Sequence, residues 1–170
     1  MKRLVVLLFS VSLILGSGAA FAIHEIIPSE TVAPLPGPDA EKLNEYIVKY
    51  NPYRAWELWP DRGTLYRGDE PHGALLTTFV NQEAYHGIKN KTAMGDGAII
   101  VQENYSADKR FLNLSVMYKI KGYNPTGGDW FWARYGPDGK IIASGKPGAC
   151  IDCHGKRKEH DFVWGVQMKK

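Results

Sequence analysis

Apolar and polar positions along this chain change period several times, and each change marks an element. Leu4 to Leu15 is apolar apart from Ser10 and Ser12, with Met1-Lys2-Arg3 before it and Ala20-Phe21-Ala22 after it. A positive start, a short apolar run and a small-x-small site are the layout of a cleavable export leader. The run falls short of the about 18 apolar residues that a membrane span needs, so cleavage after Ala22 is expected. Residues 23–38 then read as an arm, since Thr31 to Pro38 holds three prolines and a glycine. Asp39 suits a helix N-cap, and Leu43, Tyr46, Ile47 and Tyr50 recur at helical spacing until Asn51-Pro52 stops them. Ala74 to Val80 reads as a strand, and Asn81 caps a short helix through Ile88. Beyond the Gly95-Asp96-Gly97 turn the period is two: strands are expected at Ala98 to Asn104, Leu112 to Lys121 and Trp130 to Tyr135. Gly136-Pro137-Asp138-Gly139 then turns the chain into a hairpin strand, Lys140 to Ala143. The pattern predicts one α+β domain over residues 39–170, mainly an antiparallel sheet with flanking helices at its front and C-terminal end.

Composition narrows the classes. Residues 23–170 are of ordinary single-domain length, enough to bury a core without disulfide staples. With 44% hydrophobic and 23% charged residues, disorder, collagen and coiled coil are excluded. Once Lys2 and Arg3 leave with the leader, 19 basic residues face 18 acidic ones. Such a balance gives no electrostatic case for nucleic acid or for a charged membrane surface. An exported protein meets an oxidising compartment, most simply a bacterial periplasm.

Chemistry concentrates in Cys150-Ile151-Asp152-Cys153-His154, which holds both cysteines of the chain. C-x-x-C-H is the attachment signature of c-type haem: each thiol adds across a vinyl group to leave a thioether, and the adjacent histidine becomes an iron ligand. One haem c, near the C-terminus, is therefore expected on Cys150, Cys153 and His154. Three other readings compete. A thioredoxin-type dithiol normally opens a helix after an early strand, whereas this motif comes late. Zinc would need further ligands, and His160 is the nearest candidate. A disulfide across two intervening residues is strained. Nine tyrosines, six phenylalanines and five tryptophans are enough to wall a flat macrocycle, although filling an ordinary core explains most of them.

Several further segments carry a resemblance. Pro71-His72-Gly73 leads into Phe79-Val80-Asn81, Asp96-Gly97-Ala98-Ile99-Ile100-Val101-Gln102-Glu103 follows, then Gly128-Asp129-Trp130, the cysteine motif and Asp161-Phe162-Val163. In this order, over roughly two-thirds of the chain, they resemble the monohaem cytochromes of the cytochrome P-460 and cytochrome c'-beta family. The resemblance implies a mainly antiparallel β fold, a five-coordinate or weakly six-coordinate haem, and a homodimer. It also implies that the P-460 branch oxidises hydroxylamine with a lysine cross-linked to the macrocycle edge. Here Gln102 stands at that position, and an amide has no nucleophilic amine. The cytochrome c'-beta branch, which binds small gases such as nitric oxide, is then the nearer relative.

Where relatives place a distal cap, this chain has His72, which could ligate the iron, donate a hydrogen bond to a bound diatomic molecule or face water. Strand alternation puts Gln102 on the side of Ala98 and Ile100, a polar contact for a ligand or propionate if that side faces the haem. Trp130, Trp132 and Arg134 share a side too; Arg134 could pair with a propionate, and a surface salt bridge is its expected role. Met94, Met117 and Met168 are lesser sulfur ligands, with core packing expected for Met117 and exposure for Met168. His86 is expected on an outer helix face, His24 in the frayed start. Lys156-Arg157-Lys158-Glu159 reads as a solvated run that could orient an acidic redox partner protein. The reading is an exported cytochrome for electron transfer or small-gas binding. The alternatives are an enzyme converting hydroxylamine or nitric oxide, and a periplasmic thiol oxidoreductase.

Overall fold

The computed structural model describes residues 33–169, so the leader, its cleavage site, His24 and most of the 23–38 arm lie outside the described residues. Helix α1 (Ala40–Glu45) begins where Asp39 accepts hydrogen bonds from the Glu41 and Lys42 amides, both at 3.0 Å, and continues as a wider π turn through Tyr50. Strands β1 (Glu57–Leu58) and β2 (Tyr66–Arg67) are two residues each, too short to leave a periodic signal in the sequence. Then come β3 (Leu75–Val80), α2 (Gln82–Asn90), β4 (Ile99–Tyr105), β5 (Phe111–Lys119), β6 (Trp130–Tyr135), β7 (Ile141–Gly145) and α3 (Gly148–His154). All pairings are antiparallel in the order β1-β3-β4-β5-β6-β7, with β2 also on β3. The fold is α+β, as the period changes predict, and the four long strands lie within one or two residues of their expected limits.

Asn81 explains the sharp corner between β3 and α2. Its carboxamide oxygen accepts from the Ala84 amide (3.1 Å) and the Ile99 amide (2.9 Å), while Nδ2 donates to the Gly97 carbonyl (2.8 Å). One side chain thus caps a helix and ties it to β4.

Both faces of the sheet are covered, and period two decides what goes where. Ile99, Val101, Leu114, Val116, Phe131 and Tyr135 point to one side, where Leu43, Tyr46 and Ile47 of the first helix meet them. Val80, Ala98, Ile100, Met117, Trp130 and Trp132 point to the other, against Ala84 and Ile88 of α2 and Phe162, Val163 and Val166 of the tail. Burial on both sides accounts for the unbroken apolar run Ala98 to Val101, where a half-exposed strand would alternate. No helix among the described residues is long and apolar enough to cross a membrane.

Candidate functional site

The second face stops being apolar toward the far ends of β4 and β5, and a cavity of about 470 Å³ opens there. Ile100 and Met117 supply apolar wall; Thr78, Gln102, His72 and His154 supply polar groups. A volume of this size lies within the roughly 300–1,000 Å³ usual for small-molecule and cofactor sites.

Helix α3 brings the cysteine motif to this cavity. It starts after Pro147, whose carbonyl accepts from the Cys150 and Ile151 amides, and Cys153 and His154 line the cavity. Both thiols are free and half-buried. Burial, together with the neighbouring Cys153, pushes the Cys150 thiol above its usual range, with Arg134 opposing. An attacking redox thiol needs the opposite, a depressed pKa, so the dithiol reading finds no support here. Among the described residues no three His, Cys, Asp or Glu side chains gather as a metal site, so the zinc reading finds no third ligand.

His154 is oriented from behind. Its Nδ1 lies 2.8 Å from the Phe162 carbonyl oxygen, and its ring packs edge-on to Trp132 with centres 4.5 Å apart. Burial holds the imidazole below its usual pKa, hence neutral. A neutral ring that donates from Nδ1 keeps an Nε2 lone pair, the form that a metal ligand needs.

The Phe162 carbonyl is itself fixed by an unusual turn. Asp161 and Phe162 are consecutive residues at positive φ, 56° and 63°, a region that non-glycine residues seldom enter. Three contacts on Asp161 hold the turn: an ion pair with Lys119, a 2.9 Å bond from the Met94 amide to Oδ2, and a 2.8 Å bond from Trp130 Nε1 to its carbonyl. The Phe162 ring lies so close over Gly128 that a Cβ there would come within 2.5 Å of it.

His72 comes from the loop between β2 and β3. It is half-buried and lines the cavity. Its ring centre is 6.2 Å from that of His154, with the planes at 90°. Burial lowers its pKa to about 4, aided by His154 and Arg134. Ser115 Oγ sits 3.4 Å from its Nδ1. Gln102 shares the side of Ala98 and Ile100, as alternation predicts, and faces the cavity. Its Nε2 donates to Asn104 Oδ1 at 2.8 Å, and its Oε1 accepts from Thr78 at 3.5 Å.

These bonds belong to a chain of side chains that sequence reasoning missed. Tyr66 meets Thr78 at 2.6 Å, and Thr78 reaches Gln102 and then Asn104. Asn104 Nδ2 donates to Asn113 (2.7 Å) and Ser115 (2.8 Å), and Arg134 Nε donates to Asn113 (3.0 Å). Arg134 is thus a half-buried donor to Asn113 and, among the described residues, makes no salt bridge, contrary to expectation. The signal was present as Asn113, Ser115 and Met117 at period two, but only strand register shows which partners they meet.

The remaining candidates fall elsewhere. Met117 is buried and also lines the cavity; Met94 packs against Gly87; Met168 is half-covered, where exposure was expected. His86 is exposed as predicted. In the basic run Lys156 and Lys158 are exposed, but Arg157 turns inward, donating to the Val166 carbonyl at 3.0 Å and lying over Trp164. His160 is mostly covered and accepts from the Met168 amide at 3.1 Å.

A haem fits what these residues offer: the Cys153 thiol and a neutral histidine line an aromatic and aliphatic cavity, Cys150 stands one turn earlier on the same helix, and Arg62, Arg67 and Lys156, beside Asp69 and Glu70, line it as counter-charges for carboxylates. No curated protein matches the chain. Residues 51–165, two-thirds of the chain including the whole cavity wall and the cysteine motif, match the model of the cytochrome P460 family. The chain belongs to the cytochrome P460 family and is a haem-binding cytochrome.

Proposed function

We propose that the chain is an exported, periplasmic electron-transfer protein carrying one haem c, bound by thioethers from Cys150 and Cys153 and by His154 at the iron. The observation that supports this most is the pairing on α3 of two half-buried free thiols with a neutral histidine whose Nδ1 is already engaged by Phe162. The haem, when bound, supplies an iron that takes up or gives back one electron. The chain does the rest. Phe162 keeps the Nδ1 proton on His154; Trp132, Met117 and Ile100 keep water from that side; Arg62, Arg67 and Lys156 offset propionate charge. Lys156 and Lys158, exposed beside the motif, suit an acidic redox partner protein.

The reading as a small-gas binder draws on one observation, the polar wall of Thr78, Gln102 and His72 inside the cavity. Conversion of hydroxylamine in the manner of P-460 relatives would need an amine where Gln102 stands.

The test is a pyridine haemochrome assay with intact mass, after expression with haem-attachment machinery in the periplasm. One haem per chain is expected, lost in Cys150→Ala/Cys153→Ala, with a mature N-terminus at Ile23. A reversible one-electron titration supports the carrier role; protein without haem rejects it.

A further inference from the structure

Resting on the haem reading above, we propose that His72 is the second axial ligand, so that the iron is held between two imidazoles, those of His154 and His72. Four observations carry this.

Spacing comes first. Imidazole nitrogens bind metals at about 2.0–2.1 Å, which puts the ring centres of two imidazoles on opposite sides of one metal roughly 6 Å apart. The rings of His72 and His154 lie 6.2 Å apart with perpendicular planes. Two aromatic rings in direct edge contact can show the same separation; the surroundings of the two rings distinguish the cases.

The second observation is the matching state of the rings. Each lines the same cavity, and each has its Nδ1 beside an oxygen of the protein, the Phe162 carbonyl for His154 and Ser115 Oγ for His72. Ser115 Oγ already accepts from Asn104 Nδ2, and Asn104 is fully buried. The second lone pair of Ser115 Oγ is open to the Nδ1 proton of His72, and in that tautomer Nε2 is the free nitrogen that a metal needs.

Third, the loop bearing His72 is clamped to the sheet. The Gly68 amide donates to the Ala74 carbonyl (2.9 Å), and the His72 amide to that of Asp69 (3.2 Å). A Cβ on Gly73 would stand 2.6 Å from the Tyr105 carbonyl oxygen, and one on Gly68 2.4 Å from that of Gly73. Such close approach holds the histidine in place.

Fourth, His72 has no acidic partner among the described residues. A half-buried imidazole whose one hydrogen bond is a long one to a serine is poorly satisfied as a packing residue.

The test uses the haem-loaded protein, with pyridine haemochrome run first so that a missing haem, which would overturn the underlying reading, is distinguished from a missing sixth ligand. Low-spin spectra are expected in both oxidation states, with a near-infrared magnetic circular dichroism band of the bis-imidazole type in the ferric form. In His72→Ala the ferric spectrum should become high-spin, carbon monoxide affinity of the ferrous form should rise at least tenfold, and added imidazole should restore the low-spin form. Ser115→Ala should give a partial conversion; it also serves if His72→Ala does not fold. Haem-loaded wild type that is high-spin, or low-spin His72→Ala without added imidazole, would overturn the proposal.

Discussion

Asp161 links the tail to the His154 side of the cavity, and Asp161→Asn isolates its charge. Asparagine tolerates positive φ as well as aspartate does, and its side-chain oxygen can still accept from the Met94 amide, so the chain still folds while the turn at 161–162 loses the ion pair that pins it. What is lost is the partner of Lys119, an ammonium whose side chain is only 13% exposed. Removing one member of a buried pair typically costs about 3–5 kcal/mol. The ammonium lies 4.8 Å from the centre of the Trp130 ring, which offsets part of that loss. About 2–3 kcal/mol is therefore expected in urea unfolding. Lys119→Met in the same chain removes the stranded charge, and the double variant should recover at least half the loss. The second readout is the reduction potential. The loosened turn draws the Phe162 carbonyl away from His154, whose ring would then donate less electron density to a ferric iron bound there. A hydrogen bond is worth about 0.5–1.5 kcal/mol; felt wholly in the ferric state at 59 mV per tenfold, this raises the potential by about 20–60 mV. A loss under about 0.5 kcal/mol, or no recovery in the double variant, would refute the clamp; an unchanged potential would refute its link to His154.

On the opposite face, Glu103 is 4% exposed and receives Tyr53 (2.7 Å), Tyr105 (2.7 Å) and both ends of the Arg54 guanidinium. Glu103→Ala leaves the Tyr53 and Tyr105 hydroxyls without their acceptor, while the exposed Arg54 turns to water, and should cost about 2–3 kcal/mol by thermal unfolding, with the haem spectrum as in wild type. Gly73→Ala should displace the His72 loop and give a mixed-spin ferric spectrum, checked by electron paramagnetic resonance. Tyr118 donates to the Pro36 carbonyl at 2.6 Å, and its phenol is pushed up to about 12 by burial, with Asp96 and Tyr46 adding to the rise. The unfolded chain loses this proton near pH 10 and the folded one does not. Stability is therefore intact below pH 10 and falls by about 2–3 kcal/mol as pH rises to about 12. Tyr118→Phe should flatten that slope in urea titrations between pH 8 and 11.

The fold was legible where one face of an element dominates. Asp39 and Asn81 read as caps because their acceptors serve amides two or three residues on, a local matter that needs no knowledge of tertiary structure. Helix α2 ran two residues beyond Ile88 because Lys91 closes it in the left-handed region at φ 58°, a position that no glycine announces. The strands β1 and β2 exist through pairing with β3 alone, so nothing in their own two residues could signal them.

The site was legible in proportion to how local its chemistry is. Cys150, Cys153 and His154 lie within five residues on one helix, so spacing alone marks them as a candidate group. The hydrogen-bonded polar chain that runs from the cavity instead joins β3, β4, β5 and β6, because register sets Thr78 opposite Gln102, Gln102 opposite Ser115 and Ser115 opposite Arg134. A shift of one residue in any of these pairings would turn that strand's polar side chains toward the first-helix core. Burying them there would leave Gln102, Asn104 and Asn113 without partners, at about 1–3 kcal/mol for each unsatisfied group. The polar wall thus helps to hold the register that builds it. Gln102 is then more than a missing lysine, since its amide accepts from Thr78 and donates to Asn104, whereas a lysine ammonium could only donate.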